Sequence, residues 1–216
     1  MTPSQELAAR IANDNFALLA SRLLPEAPEF KVHPARSDYD FNPEFRRPAG
    51  EVRLTPAAVL MPIVAKYEPT VLLTERTQNL SRHAGQVSFP GGRVDDTDET
   101  PLATALRETH EETGITPNFV RVVGYMDGYE TGTGFAILPV VGVVKPGFTL
   151  MPNPAEVHDI FEVPLSFLLD PKNRERQSRE WQGRKREFYA FNYGSHYIWG
   201  ATAAILVNFA ERFANL

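Results

Sequence analysis

An α/β fold with a mixed sheet held between helices is what the sequence predicts. Three observations predict it. Four apolar, β-branched runs are bounded by Gly and Pro, which is how half- or fully buried strands read. A helix with recognisable start and stop signals, Pro101 to Thr113, lies among them, and an amphipathic segment, Thr202 to Phe213, follows the last. Strands separated by helical segments favour a layered sheet covered on both faces. In 216 residues such a sheet has a full core and room for an extension.

In chain order, residues 1–54 differ in kind from the rest. Ser4 can cap a helix carrying Leu7 and Ile11 and, later, Leu18, Leu19 and Leu23. Six prolines from Pro25 to Pro56 then rule out long regular elements. This reads as an N-terminal helical arm and an irregular strap, free either to dock on the core or to cross to a partner in a homodimer. Residues 55–216 form the main domain, with strands expected over Val59–Ala65, Val71–Thr74, Phe119 to about Tyr125 and Ala136–Val144. The polar run Lys172–Lys185, with Trp181 in its middle, reads as a loop, either solvated or able to cover a substrate.

The helix is the most informative element. Thr100 fits its N-cap, Pro101 its first position and Gly114 its left-handed C-terminal residue. At about 100° per residue, Leu102, Leu106, Thr109 and Thr113 share the arc expected to pack on the core. Glu108, Glu111 and Glu112 share another. Like charges at i, i+3 and i, i+4 repel by a few tenths of a kcal/mol, roughly, and acids in the last turn face the negative end of the helix dipole. A hard divalent cation, Mg²⁺ or Mn²⁺, prefers oxygen ligands and supplies the missing positive charge. The preceding Gly91 and Gly92 allow a tight turn that can bring a carbonyl or amide close to a metal or phosphate. The alternative is a solvated acidic face paired with Arg107.

These residues resemble the box of the Nudix hydrolases, G-x5-E-x7-R-E-U-x-E-E-x-G-U with U aliphatic. Arg107, Glu108, Glu111, Glu112, Gly114 and Ile115 fall on it in register, and Glu99 stands at the required distance before Arg107. Two departures occur. Six residues rather than five separate Gly92 from Glu99, so that either Glu99 holds its role or Asp98 shares it, and Thr109 takes a usually aliphatic position. Upstream, LLTERTQNLSRHAGQVSFPGGR, from Leu72 to Arg93, looks like the corresponding segment of the coenzyme A pyrophosphatase branch, as does IWGATAAIL, from Ile198 to Leu206.

The resemblance implies a Nudix-type α/β/α sandwich and a diphosphatase that uses Mg²⁺ or Mn²⁺. It implies Glu111 and Glu112 as principal metal ligands, and Glu108 as a ligand or as the acceptor of a proton from the attacking water. The Gly92 carbonyl would be a further ligand and Arg107 the group that orients the glutamates. Arg76, Arg82, His83 and Arg93 lie in or beside the branch-specific segment and are candidates for binding substrate, a guanidinium fork suiting the 3′-phosphate of CoA. For His83 a structural part in its own turn is the alternative. Glu156 falls in a late loop where such enzymes sometimes place another metal ligand or base. The implied reaction releases 3′,5′-ADP and 4′-phosphopantetheine, or its acylated form, from CoA and its derivatives. ADP-ribose, NADH or a dinucleoside polyphosphate is the alternative substrate, and a non-catalytic CoA or nucleotide sensor the alternative class.

Composition narrows the partners. A net charge of −5 provides no broad basic field for nucleic acid or an anionic membrane. No run of about 18 apolar residues and no secretory pattern is present, so a cytoplasmic protein is expected. With no cysteine, thiol catalysis and Cys-ligated zinc are excluded.

Overall fold

The computed structural model describes residues 1–13, 15–28, 34–46, 53–78, 84–181 and 183–215, the side chain of Trp181 excepted. The chain runs α1 (Pro3–Asn13), α2 (Ala17–Ala20), β1 (Arg36–Ser37), β2 (Thr55–Val64), β3 (Thr70–Arg76), β4 (Val87–Ser88), β5 (Gly91–Arg93) and α3 (Pro101–Thr113). It continues through β6 (Val120–Tyr125), β7 (Tyr129–Glu130), β8 (Phe135–Val144), β9 (Val157–Pro164), α4 (Leu165–Leu169), β10 (Arg174–Trp181), β11 (Arg184–Tyr193), β12 (His196–Trp199) and α5 (Gly200–Glu211).

Two apolar strands form the centre. β2 and β8 pair in parallel from Thr55 opposite Phe135 to Val64 opposite Val144, and parallel pairing demands a crossover, which here contains α3. β3 lies antiparallel to β2 and β9 antiparallel to β3, while β6 and β7 lie antiparallel to β8, which makes the sheet mixed. Both faces of β2 are covered. Ala58 and Leu60 pack with Ala105 of α3, whereas Met61 and Ile63 pack with Ile205, Leu206 and Phe209 of α5. This alternation of two apolar faces is why β2 and β8 read as continuous hydrophobic runs. Pro62 is tolerated because, among the described residues, β2 has no strand partner at that point on the side its missing N–H would face: β5 pairs with residues 57–59 and β3 with 63–64.

The arm docks on the core. Ala8 and Ile11 of α1 join Leu19, Leu165, Leu168 and Phe213 in one buried cluster. Thr2 rather than Ser4 caps the helix, its hydroxyl accepting from Gln5 N at 3.2 Å, and Ser4 lies inside the first turn. The leucine pattern does not continue as one helix, because Asn15 and Phe16 adopt positive φ and turn the chain before α2. The strap adds β1 as a parallel edge beside β7.

The run Lys172–Lys185 is not a loop. Arg174 to Trp181 and Arg184 to Tyr193 form a hairpin that β12 extends into a three-stranded antiparallel sheet. Among the described residues only the β11 half carries core side chains, Phe191 and Tyr189, so β10 shows no apolar alternation and reads as polar loop. Among the described residues no helix is long and apolar enough to cross a membrane.

Candidate active site

The site is built at the end of the sheet where β3 finishes, β2 begins and α3 crosses. Thr100 Oγ1 accepts from Ala103 N at 3.2 Å to start α3, and Gly114, at φ 78°, ends it by donating to His110 O at 2.8 Å. The loop after the helix then closes its last turn: Met151 N donates to Thr113 O at 2.8 Å and Asn153 N to Glu112 O at 3.1 Å. These bonds satisfy carbonyls the helix leaves open, and they bring the Glu156 segment alongside.

The helix is rotated relative to the expected arcs. Thr104, Ala105, Thr109, Glu112 and Thr113 are its buried residues, whereas Leu102 and Leu106 are half-buried. Glu112 therefore does not share a solvated face with Glu108 and Glu111. It is 2% exposed, Glu108 is half-buried and Glu111 exposed. Thr109 can occupy a buried position because its hydroxyl donates to Ala105 O at 2.6 Å, one turn back.

Glu112 is thinly satisfied for a buried carboxylate. Its Oε2 accepts from Gly91 N at 3.3 Å, and its Oε1 lies 3.7 Å from Arg76 Nη1. Burial pushes its pKa up to about 8 against the pull of Arg76 and the Gly91 amide, with Glu108 and Glu156 adding like-charge repulsion. Burial likewise raises Glu108, opposed by Arg107. Arg76 sits at an irregularity in the β3–β9 pairing, and its Nε is buried with no hydrogen-bond partner among the described residues. Gly92 meets Glu108 directly: a Cβ there would stand 2.5 Å from the glutamate's carboxyl carbon.

Arg107 gathers three acids. Its Nε and Nη2 donate to the two oxygens of Asp98 at 3.0 and 2.8 Å, and its Nη1 donates to Glu108 at 2.8 Å and Glu111 at 3.1 Å. Asp98 also accepts from Thr104 Oγ1 at 2.8 Å and from Asp95 N at 3.0 Å. The guanidinium and these donors hold the Asp98 carboxyl well below the usual carboxylate range, and Asp98 in turn stabilises the charge on Arg107. Glu99 is exposed, so the longer loop places Asp98, not Glu99, against Arg107. The extra residue between Gly92 and Glu99 was the sequence signal for this exchange.

As placed, Glu108 and Glu111 lie on Arg107, and among the described residues no three Asp, Glu or His side chains converge as ready-made metal ligands. The donors nevertheless suit a hard cation. They are carboxylate oxygens, the most buried of them is poorly compensated, and the absence of a side chain at Gly92 lets the Glu108 carboxyl lie against the backbone of the turn. Glu156 is close enough to raise both Glu108 and Glu112. Arg93 is exposed on β5 opposite Ala57, beside Gly92. Arg82 and His83 lie outside the described residues.

The NUDIX domain family matches residues 53–182, which include both the glycine turn and α3. The chain belongs to the Nudix family. It is 44% identical over 156 residues to a Photorhabdus laumondii protein named uncharacterized Nudix hydrolase NudL, the match covering 72% of this chain and 83% of that one. The Escherichia coli K12 protein of the same name is 40% identical over 150 residues, covering 69% and 78%. Among solved structures, a MutT protein from Methanosarcina mazei aligns over 76% of this chain and 96% of its own with 20% identity and a TM-score of 0.49. By the family match and these relatives the protein is a Nudix hydrolase, and its own mixed sheet between helices is an α/β/α architecture. Sequence reasoning missed the partnership of Arg76 with Glu112 in this Nudix box, because the two residues lie on different elements and no spacing rule connects them.

Proposed function

We propose that this Nudix hydrolase cleaves the diphosphate bond of coenzyme A and its derivatives, with 55–216 as the catalytic domain and 1–54 as an arm and strap. The observation that carries the chemistry is the Glu112 carboxylate, buried at the glycine turn beside Glu108 with less positive charge around it than two carboxylates need. Glu108, Glu111, Glu112 and the Gly92 carbonyl would hold Mg²⁺ or Mn²⁺. When bound, such a cation neutralises diphosphate oxygens, orients them for in-line attack and acidifies water.

The chain's own residues do the rest. Arg107, fixed by Asp98, orients Glu108 and Glu111. Glu108, whose affinity for protons burial raises, takes the proton from the attacking water at a carboxylate oxygen. The water oxygen bonds to phosphorus, the bridging P–O bond breaks, and its electrons leave on the departing phosphate. Arg76 and Arg93 supply positive charge to the substrate, with Arg82 and His83 in the same role, and Glu156 is a further acid beside the centre. The CoA assignment is supported by the likeness of the Leu72 to Arg93 segment to CoA pyrophosphatases.

Chromatographic product analysis tests both levels. The purified protein is incubated with CoA, ADP-ribose and NADH separately, each with Mg²⁺, Mn²⁺ or chelator. Metal-dependent release of 3′,5′-ADP from CoA, well above turnover of the other two, is expected. Cleavage of ADP-ribose or NADH with CoA left intact would keep the metal chemistry and remove the CoA assignment. Turnover of none would remove both.

A further inference from the structure

The small sheet has two unlike faces. Register places Tyr189, Phe191, Ile198 and His196 on the face turned to the core, where Phe191 and Ile198 are fully buried. The opposite face carries Phe188, Tyr197 and Trp199, all half-buried, together with the exposed Arg179. The rings form one continuous patch: Phe188 meets Trp199 edge-on at 5.5 Å and Tyr197 stacks on it at 6.4 Å. Arg179 lies over the indole at 5.4 Å. Tyr197 is held in place by its hydroxyl, which donates to Gln177 Oε1 at 2.6 Å, and Gln177 is in turn fixed on Glu175.

The charge on this face is uneven. On it Arg186 is paired with Asp38 and Glu175 accepts from Gln177 and Asn192, while Arg174 and Arg176, paired with Glu211 and Glu187, fall on the other face by register. Arg179 has no ion pair among the described residues, so its charge beside three aromatic rings is available to an anion.

Two connections join the patch to the site end of the main sheet. Thr202 Oγ1 donates to Val87 O at 3.0 Å, fixing the turn just beyond Trp199 against the strand that leads through Phe89 and Pro90 to Gly91. On the other side Arg186 stands against Gly132, where a Cβ would lie 2.6 Å from its Nη2. Gly132 precedes β8, whose first residues pair with the same stretch of β2 that holds β5 and Gly92.

We propose that this aromatic face is the nucleobase subsite, a purine stacking on Trp199 and Tyr197 while Arg179 binds a phosphate on the ribose. A planar base has the shape and π-face that such rings accept, and a guanidinium beside them suits a ribose phosphate. The proposal rests on the CoA reading for the identity of the ligand, since a 3′-phosphorylated adenosine has both groups.

The experiment separates the two. Trp181 and Trp199 are the only tryptophans, so in a Trp181→Phe protein all tryptophan fluorescence comes from Trp199. This protein is titrated with 3′,5′-ADP and with 5′-AMP in the presence of chelator, and Arg179→Ala and Arg179→Lys are made in the same background. Both nucleotides should quench Trp199, with 3′,5′-ADP bound about tenfold more tightly. Arg179→Ala should abolish that preference and Arg179→Lys retain part of it, while 5′-AMP binding stays within about twofold. Absence of quenching, or a preference that Arg179→Ala leaves unchanged, overturns the subsite even if CoA is cleaved. Quenching with an Arg179-dependent preference sustains it even if CoA is not cleaved, in which case only the CoA reading falls.

Discussion

Asp98 and Glu112 are both acids with little exposure, held near opposite ends of α3, yet their surroundings are opposites. Asp98 receives two guanidinium donors, a hydroxyl and a backbone amide, and its proton affinity falls. Glu112 receives one amide at 3.3 Å and a guanidinium at 3.7 Å, and its proton affinity rises. A carboxylate that accepts from four donors is part of the scaffold. One buried with little compensation is kept at a cost to folding, and such groups concentrate where charge is to be supplied by a ligand.

Glu112→Gln breaks this contrast most severely. Turnover should fall by about 10³-fold or more while the protein stays folded, because the amide preserves shape and removes a buried charge. Product chromatography and a thermal scan check the two halves. Next in size, Asp98→Ala should destabilise by roughly 3 kcal/mol, since it removes two bonds from the Arg107 guanidinium and two more from Thr104 and the Asp95 amide, whereas Glu99→Gln should change stability by less than about 0.5 kcal/mol. Chemical denaturation compares them, and equal effects would contradict the placement of Asp98.

Stability should also depend on pH with opposite signs at the two acids. The folded pKa of Glu112, about 8, exceeds its ordinary value of 4.5. Its contribution is therefore complete below about pH 4.5 and lost as pH rises through 8. In chelator, the wild type should lose on the order of a few kcal/mol relative to Glu112→Gln across that window, and Mg²⁺ should restore much of it. Asp98 is lowered instead, so its contribution is present above the ordinary carboxylate range and is lost only as pH falls below it. A milder effect than these is expected from Gly92→Ala. Its Cβ displaces the Glu108 carboxyl, lowering turnover about 10-fold to 100-fold with a stability change of roughly 1–2 kcal/mol, read by kinetics and denaturation together.

Much of this was legible in the sequence. Cap residues and a terminal glycine defined α3 from Pro101 to Thr113, and the β-branched runs located β2, β3, β6 and β8, since these signals are local. The small sheet was not legible, because β10 carries charged residues on both faces and its pairing with β11 is set by register rather than composition. Nor was the burial of Glu112, which helical spacing groups with Glu108 and Glu111. A shift of the buried arc from Leu102 and Leu106 toward Ala105 and Glu112, imposed by packing on β2 and β5, separates them. The exchange of Glu99 for Asp98 was written in one extra loop residue, whose consequence only the folded loop decides.

Mn²⁺ titration calorimetry on the wild type and Glu112→Gln at neutral pH tests whether the buried Glu112 carboxylate is a metal ligand. Saturable binding by the wild type, with release of protons as Glu112 becomes a ligand and with both signals lost or greatly weakened in the variant, is the predicted result. Equal Mn²⁺ binding by the two proteins, or none by the wild type, would contradict the assignment of this carboxylate to the metal.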